Sequence, residues 1–253
     1  MAEHEPRLYG IPMSHPVIAV RGMLERKRMP YRYVELLAGA HPASLLALGF
    51  RRFTVPALRL PDGRRAQGSV AIARALERLL PEPPLYPVER EARLESQRAE
   101  RWGEAVLQPV PRRLIRWGLR NDLSQRRWFA DVATPMPAPG VTGTLMTPVA
   151  AIFARRVGAD DQQIKRDLAA LPAMLDEVDR LLAAAVIGGQ RPGAADFQIA
   201  ASVRMLLAMQ DVARLVAGRP SEAFALALIP EFPTIPAALP PHWIPLVATA
   251  ATR

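Results

Sequence analysis

A serine and a histidine stand at the predicted start of a helix, in the run Ser14-His15-Pro16-Val17. Proline suits such a position because it lacks the N–H that would stay unpaired there. The run has the spacing of a Cys-x-x-Cys redox site, but the whole chain contains no cysteine. Its own side chains therefore cannot perform dithiol exchange, and any thiol chemistry must come from a bound ligand.

Activation of such a thiol is chemistry that a hydroxyl at a helix start can perform. A free thiol with a pKa of about 8.5 is only a few per cent ionised at neutral pH. A hydrogen bond from Ser14, together with backbone N–H groups and the positive end of the helix, would favour the thiolate. Lowering the pKa by about two units requires roughly 2.7 kcal/mol, which two or three such contacts can supply. Ser14 is therefore a candidate thiol-activating residue, the alternative being a plain helix cap.

A second helix start, at Gly68-Ser69, carries groups that could bind a carboxylate. The free N–H groups of its first turn and the Ser69 hydroxyl would form a cradle for an anion. Gln67 lies one position further back and could reach the same ligand if its strand bulges at Gly68. The three residues together are a candidate ligand-binding segment.

The elements that must position these residues follow from hydrophobic patterns. Short apolar and β-branched runs predict strands, while apolar residues at helical spacing predict helices. In chain order they are a strand at 7–11, a helix from Pro16, a strand at 31–36, a hairpin of 54–60 with 65–67, and a helix from Ser69 that ends before Pro81. With a further helix before the hairpin, we predict an α/β N-terminal domain of order β-α-β-α-β-β-α.

That order is the thioredoxin fold, and Val55-Pro56-Ala57-Leu58 followed by Ser69-Val70-Ala71-Ile72 resembles the N-terminal domain of the glutathione S-transferase superfamily. The run from Gly193 to Ala200 is similar to the buried helix of that family's all-helical second domain, in which Asp196 would have a structural capping role. The chain is thus identified as a cysteine-free, bacterial-type member. The resemblance implies a thioredoxin-like domain over 1–82 and an all-α bundle over 88–253, joined by a proline-rich linker.

The resemblance also implies roles for individual residues. Pro56 would be a cis proline, and the backbone of Val55 would pair with the cysteinyl part of glutathione. Gln67, Gly68 and Ser69 would hold the γ-glutamyl end, although most members have Glu or Gln directly before the serine, where this chain has Gly68. Many members have the active hydroxyl directly before the proline, so His15 stands beside Ser14 as a candidate catalytic residue.

The function that follows is transfer of an alkyl or aryl group to a thiol, with glutathione as co-substrate. The thiolate would attack an apolar electrophile in an interdomain cleft, whose walls could include Trp102, Ile115, Trp117 and Leu119; core packing is the alternative for these four. The altered pair at Gly68-Ser69 leaves two other interpretations open, a thiol other than glutathione and a non-catalytic interaction module. A reductase or dehalogenase variant would use the same ligand site.

Charge, histidine spacing and hydropathy indicate which partners and cofactors to expect. The net charge of +9 comes almost wholly from arginine, in pairs that are scattered among acidic residues without an aromatic platform, so we expect no nucleic-acid partner. The four histidines lack metal-ligand spacing, and we expect no metal. No apolar run reaches the roughly 20 residues of a membrane span and no signal peptide is recognisable, which predicts a cytoplasmic protein without a membrane partner. Family members commonly dimerise, so we expect a homodimer.

Overall fold

The computed structural model describes residues 5–133, 138–229 and 231–246. Its first part is a four-stranded sheet of order β2-β1-β3-β4, in which β1 and β2 are parallel and the other neighbours antiparallel. Three helices accompany it. The elements are β1 (Arg7–Gly10), α1 (His15–Arg26), β2 (Arg32–Glu35), α2 (His41–Ala47), β3 (Ala57–Arg59), β4 (Arg65–Gln67) and α3 (Ser69–Leu79). The predicted thioredoxin-like order is confirmed.

Helices make up the rest of the described chain, as predicted. They are α4 (Arg90–Trp102), a π-helical turn (Gly103–Leu107), α5 (Pro109–Asn121), α6 (Leu123–Trp128), a second π-helical turn (Phe129–Ala133), α7 (Pro139–Leu145), α8 (Thr147–Arg156), α9 (Asp161–Ala183), α10 (Ala194–Ala208), α11 (Ala213–Val216), α12 (Pro220–Leu228) and a 3₁₀ turn (Pro241–Trp243). Among the described helices, none has both the length and the apolar character needed to cross a bilayer.

Helices α1 and α10 join the two parts of the molecule. Their apolar side chains belong to one continuous buried core that also includes β1, β3 and α3. Gly22 of α1 faces Phe197 of α10 so closely that a Cβ would lie 2.5 Å from its ring. Glycine is therefore required there for the two helices to approach.

The segment between α3 and α4 is held by a buried lysine. Lys27 Nζ donates to Glu77 Oε2 at 2.6 Å and to the carbonyls of Leu80 and Pro81 at 2.6 and 3.1 Å. Glu77 Oε2 also accepts from the Leu85 N–H at 2.9 Å. All three protons of the ammonium group therefore have an acceptor, which allows a charge to be buried at the end of α1.

The start of α10 uses the same segment as a cap. Asp196 accepts hydrogen bonds from the N–H groups of Gly188 and Gly193 at 2.6 and 2.8 Å, which fits the structural role predicted for it. The Ala194 N–H donates to the Leu85 carbonyl at 2.9 Å. A Cβ at position 193 would lie 2.5 Å from that carbonyl oxygen. Position 193 therefore has no room for a Ser or Thr cap, and a backbone carbonyl from the linker replaces it.

Candidate functional site

A cavity of about 470 Å³ opens where the start of α1 faces the helical part of the chain. That volume suits a small organic ligand. The sheet side contributes the β1–α1 connection, the start of α2 and the segment before β3, and the helical side contributes α5, the end of α6, α8 and one residue of α10. The lining residues are Ile11, Pro12, Met13, Ser14, His15, Pro16, His41, Phe53, Thr54, Val55, Arg112, Ile115, Arg116, Leu119, Trp128, Phe129, Phe153, Arg156, Val157 and Met205.

Ser14 lines this cavity. It is the N-cap residue of α1, in extended conformation, but its side chain makes no capping hydrogen bond. Met13 before it has a φ of 59°, in the left-handed region that non-glycine residues rarely adopt. Within the part of the chain that the structure describes, no group bonds to the Ser14 hydroxyl. The alternative of a plain capping serine therefore finds no support in the contacts.

His15 lines the same cavity but has a partner. It is 2% exposed, and its Nε2 lies 3.2 Å from the Gln108 carbonyl oxygen at the start of α5. Burial and the nearby Arg112 guanidinium lower the pKa of His15 to about 3. The ring is therefore neutral at physiological pH, with its proton on Nε2 donated to Gln108. The remaining nitrogen, Nδ1, can only accept a hydrogen bond.

Val55 lines the cavity next to a cis Val55–Pro56 bond of the predicted kind. The Pro56 carbonyl accepts from the Gly68 N–H at 2.9 Å. The N–H and C=O of Val55 itself have no hydrogen-bond partner among the described residues. They are free to pair with an extended ligand in the manner of an added strand.

The strand shows no bulge up to Gln67, so the condition under which Gln67 could reach the ligand is not met in this structure. Its strand pairs with β3 in regular register up to Gln67 itself, opposite Ala57. Gln67 Nε2 donates to the carbonyls of Arg52 and Thr54 at 2.6 and 2.9 Å, and its Oε1 accepts from the Arg52 N–H at 2.9 Å. The amide therefore holds the loop before Val55. The turn to α3 is made by Gly68, whose φ of 93° favours glycine.

Ser69 is buried at the start of α3, where Gln198 Nε2 of α10 donates to its hydroxyl oxygen at 3.4 Å. It does not line the main cavity. A second cavity of about 350 Å³ lies beside the first turn of α3; it is lined by Arg52, Gln67, Val70, Ala71, Arg74, Arg78 and Glu104. At the predicted anion cradle, the residues of the first turn that line this cavity are therefore Val70 and Ala71. Both arginine and glutamate side chains line the rest of it.

Of the four predicted wall residues, Ile115 and Leu119 line the main cavity. Trp117 does not, because it is buried with its indole Nε1 donating to Asp161 Oδ1 at 2.8 Å. Trp102 is partly buried against the apolar core. For these two tryptophans the packing alternative is the correct one.

Three arginines at the main cavity were missed by sequence reasoning. Arg112 and Arg116 lie one turn apart on α5, on the face that carries Ile115 and Leu119, and Arg156 ends α8. Arg116 lies over the Phe153 ring at 4.9 Å from its centre. Burial and the adjacent Arg112 lower the pKa of Arg116 to about 10, which still leaves it charged at neutral pH. The i, i+4 spacing on an apolar face was the available signal.

His41, at the start of α2, also lines the cavity. Its ring stacks on Phe153 with centres 5.4 Å apart. Burial and the charges of Arg116 and Arg156 lower the pKa of His41 to about 4, so the ring is neutral at physiological pH.

Across residues 5–133, 138–229 and 231–246, no three His, Asp or Glu side chains come close enough together to hold a metal ion.

Comparisons with known proteins agree with this geometry. Residues 8–84 match the family described as the N-terminal domain of glutathione S-transferase. Comparison with curated protein sequences gives no match.

Three solved structures are similar to the chain over almost its whole length. A glutathione S-transferase from Rhodospirillum rubrum is 22% identical over 94% of this chain and 97% of its own, with a TM-score of 0.58. The beta-etherase LigF from Sphingobium is 16% identical over 92% and 97%, with a TM-score of 0.66. Glutathione transferase F7 from Populus trichocarpa is 18% identical over 91% and 95%, with a TM-score of 0.60. At these identities the likeness establishes the fold.

Proposed function

We propose that this protein activates a bound low-molecular-weight thiol for attack on an electrophile, because residues 8–84 match the N-terminal domain of glutathione S-transferase and the whole fold is similar to that of a glutathione S-transferase. Glutathione is the first candidate. The observation that carries the proposal is that Ser14 and Val55 line the same cavity, with a hydroxyl and a backbone N–H and C=O that have no partner among the described residues. The hydroxyl could donate a hydrogen bond to the thiolate, and the backbone edge could pair with the cysteinyl unit of a thiol peptide.

The thiol would be placed by Val55 and ionised beside Ser14. Backbone pairing to Val55 fixes the cysteinyl unit, so that its sulfur reaches the start of α1. The Ser14 hydroxyl and the positive end of the helix then stabilise the thiolate after its proton passes to solvent. The sulfur forms a bond to the electrophilic carbon and the leaving group departs with the bonding electron pair. Ser14 is the candidate donor to the thiolate in preference to His15, because the only ring proton of His15 is donated to the Gln108 carbonyl.

The other end of the thiol peptide would occupy the second cavity. The first turn of α3, with Arg52 and Arg74 beside it, suits the α-carboxylate of a γ-glutamyl group. The amide of Gln67 is engaged with the 52–54 loop, so it is not available for the ligand's ammonium group. Glu104, from the π-helical turn after α4, is the carboxylate that lines this cavity and would take that place.

The engaged Gln67 amide also favours the second candidate function. A chain without the usual acidic or amide residue directly before the serine could bind a different thiol, or serve as a non-catalytic binding module. Homodimer formation, a cytoplasmic location and domain limits of 1–82 and 88–253 stay predictions alongside either function.

Calorimetric titration of reduced glutathione, paired with conjugation of a chlorodinitrobenzene, tests the proposal. We expect Ser14→Ala to bind glutathione with little change but to lose about 100-fold in turnover, because one donor to the developing charge is removed. Ser44→Ala is the matched control, since that hydroxyl donates to the Ala40 carbonyl outside the cavity. Glu104→Gln should weaken glutathione binding about tenfold. Absence of binding at millimolar glutathione would direct attention to another thiol or to the non-catalytic alternative.

A further inference from the structure

The arginines at the main cavity differ from two paired arginines nearby in the chain, Arg113 and Arg126. Arg113, on the same helix, makes a two-bond ion pair with Asp167, at 2.6 and 2.7 Å. Arg126 donates to three backbone carbonyls. In the described part of the chain, Arg112, Arg116 and Arg156 have neither an ion pair nor a hydrogen bond, and the cavity lining contains no carboxylate.

This arrangement is unfavourable for the protein alone. Arg112 and Arg116 are half-buried, whereas Arg156 is exposed. A half-buried guanidinium without an acceptor loses hydration that the protein does not replace. The Phe153 ring, over which Arg116 and Arg156 lie at 4.9 and 5.9 Å, compensates only in part. Three like charges around one cavity also repel one another. An anion in the cavity would remove both costs.

We propose that Arg112, Arg116 and Arg156 bind a carboxylate of the second substrate, so that the electrophile is an apolar, aromatic-type acid rather than a neutral molecule. Guanidinium groups bind carboxylates through two parallel hydrogen bonds. Ile115, Leu119 and Trp128 provide the apolar contact for the remainder of the molecule. The role as electrophile rests on the proposed function; the binding of the acid does not.

A carboxylate at this place has one other source, the glycyl end of glutathione itself. The two sources share their chemistry and differ in what happens once a thiol peptide is bound. An acid that is the second substrate must bind beside glutathione, whereas a glycyl carboxylate would occupy the arginines and exclude it.

The experiment is calorimetric titration of 2-naphthoate and of its neutral isostere 2-naphthamide, first without a thiol and then with saturating S-methylglutathione. We expect the carboxylate to bind at least about tenfold more tightly than the amide in both conditions. Arg116→Gln and Arg112→Gln should each remove most of that preference, while Arg116→Lys retains part of it. Arg155→Gln, an exposed neighbour of Arg156, is the matched control and should leave the preference unchanged.

Equal affinity for acid and amide without the thiol would overturn the proposal. A preference that disappears with S-methylglutathione would also overturn it, by assigning the arginines to the glycyl carboxylate. Should S-methylglutathione not bind, the thiol-free titration alone decides on the acid site, and the failure lies with the proposed transferase function.

Discussion

Two places in this molecule hold cations against low-polarity surroundings, and they differ in whether the cations have partners. At the segment between α3 and α4, Lys27 is 1% exposed and has three oxygen acceptors, one of them charged. At the main cavity, Arg112 and Arg116 have none among the described residues. The first arrangement stabilises the fold by itself. The second costs hydration of the guanidinium groups without replacing it, and the proposed carboxylate would supply the missing acceptor.

The largest effect should come from breaking the paired side. Lys27→Met removes the buried cation that binds Glu77 and two linker carbonyls, and we expect a loss of about 3–5 kcal/mol in the free energy of unfolding. Urea unfolding measures it. Lys165→Met is the matched control, since Lys165 is exposed and only lies over the Trp243 ring, and it should cost under about 1 kcal/mol. Equal losses for both variants would contradict the structural role of Lys27.

Glu100 lies between the two cases, because it is buried with one partner for two oxygens. Its Oε1 accepts from the Tyr86 hydroxyl at 2.9 Å, and its Oε2 is unpaired. Burial raises the pKa of Glu100 from 4.5 to about 7. The folded state therefore holds the proton more tightly than the unfolded state, and the free energy of unfolding falls as pH rises through that window, by about 3 kcal/mol.

Glu100→Gln should remove most of that dependence. Urea unfolding at about pH 5 and about pH 8 compares the two proteins. The free energy of unfolding of the variant should increase relative to that of the wild type as pH rises. The exposed Glu95→Gln serves as control and should keep the wild-type dependence. A parallel pH profile for wild type and Glu100→Gln would show that this carboxyl is ionised normally in the folded state.

At the cavity, His15 has a hydrogen-bond partner, whereas the neighbouring Arg112 and Arg116 have none among the described residues. His15→Ala removes a buried ring and its hydrogen bond to the Gln108 carbonyl, and we expect a loss of about 2 kcal/mol in the free energy of unfolding near neutral pH. A folded pKa of about 3, below the ordinary 6.5, means that this contribution is present above pH 6.5 and is lost as pH falls. The loss on mutation should therefore shrink at about pH 5. Exposed His242→Ala should show neither effect.

The smallest effect should come from the unpaired side. Arg116→Met replaces an unpartnered charge by an apolar side chain of similar length, so the free energy of unfolding should stay within about 1 kcal/mol of the wild type or rise. Thermal and urea unfolding both report it. A loss of several kcal/mol would mean that Arg116 is structural, and the contrast with Lys27 would no longer hold.

The order of strands and helices in the first 80 residues could be predicted because the signals are local. Period-two and helical patterns, Pro16 at a helix start and the turn between β3 and β4 each act within a few residues. Ser14 was a candidate for the same reason, whereas His15 and Val55 were named from the family resemblance; in the structure all three line one cavity.

What sequence reasoning missed depends on long-range contacts. The Gln67 amide was assigned to a ligand, but its partners lie 13 and 15 positions earlier in the loop 52–54. Arg156 comes to the cavity from a helix that begins more than twenty residues after α5 ends, and no local pattern indicates that approach. Only the spacing of Arg112 and Arg116 beside Ile115 offered a clue.

The linker's contacts use main-chain atoms: the carbonyls of Leu80 and Pro81 that Lys27 binds, the N–H of Leu85 and the carbonyl that caps α10. Such contacts are indifferent to side-chain identity but sensitive to position along the chain. Homologous chains should therefore vary in residue type at the exposed positions 80–82, keep an apolar residue at the buried position 85, and admit no insertion or deletion between them. A single added residue would shift Leu85 away from Ala194 and leave the central helix of the second part uncapped.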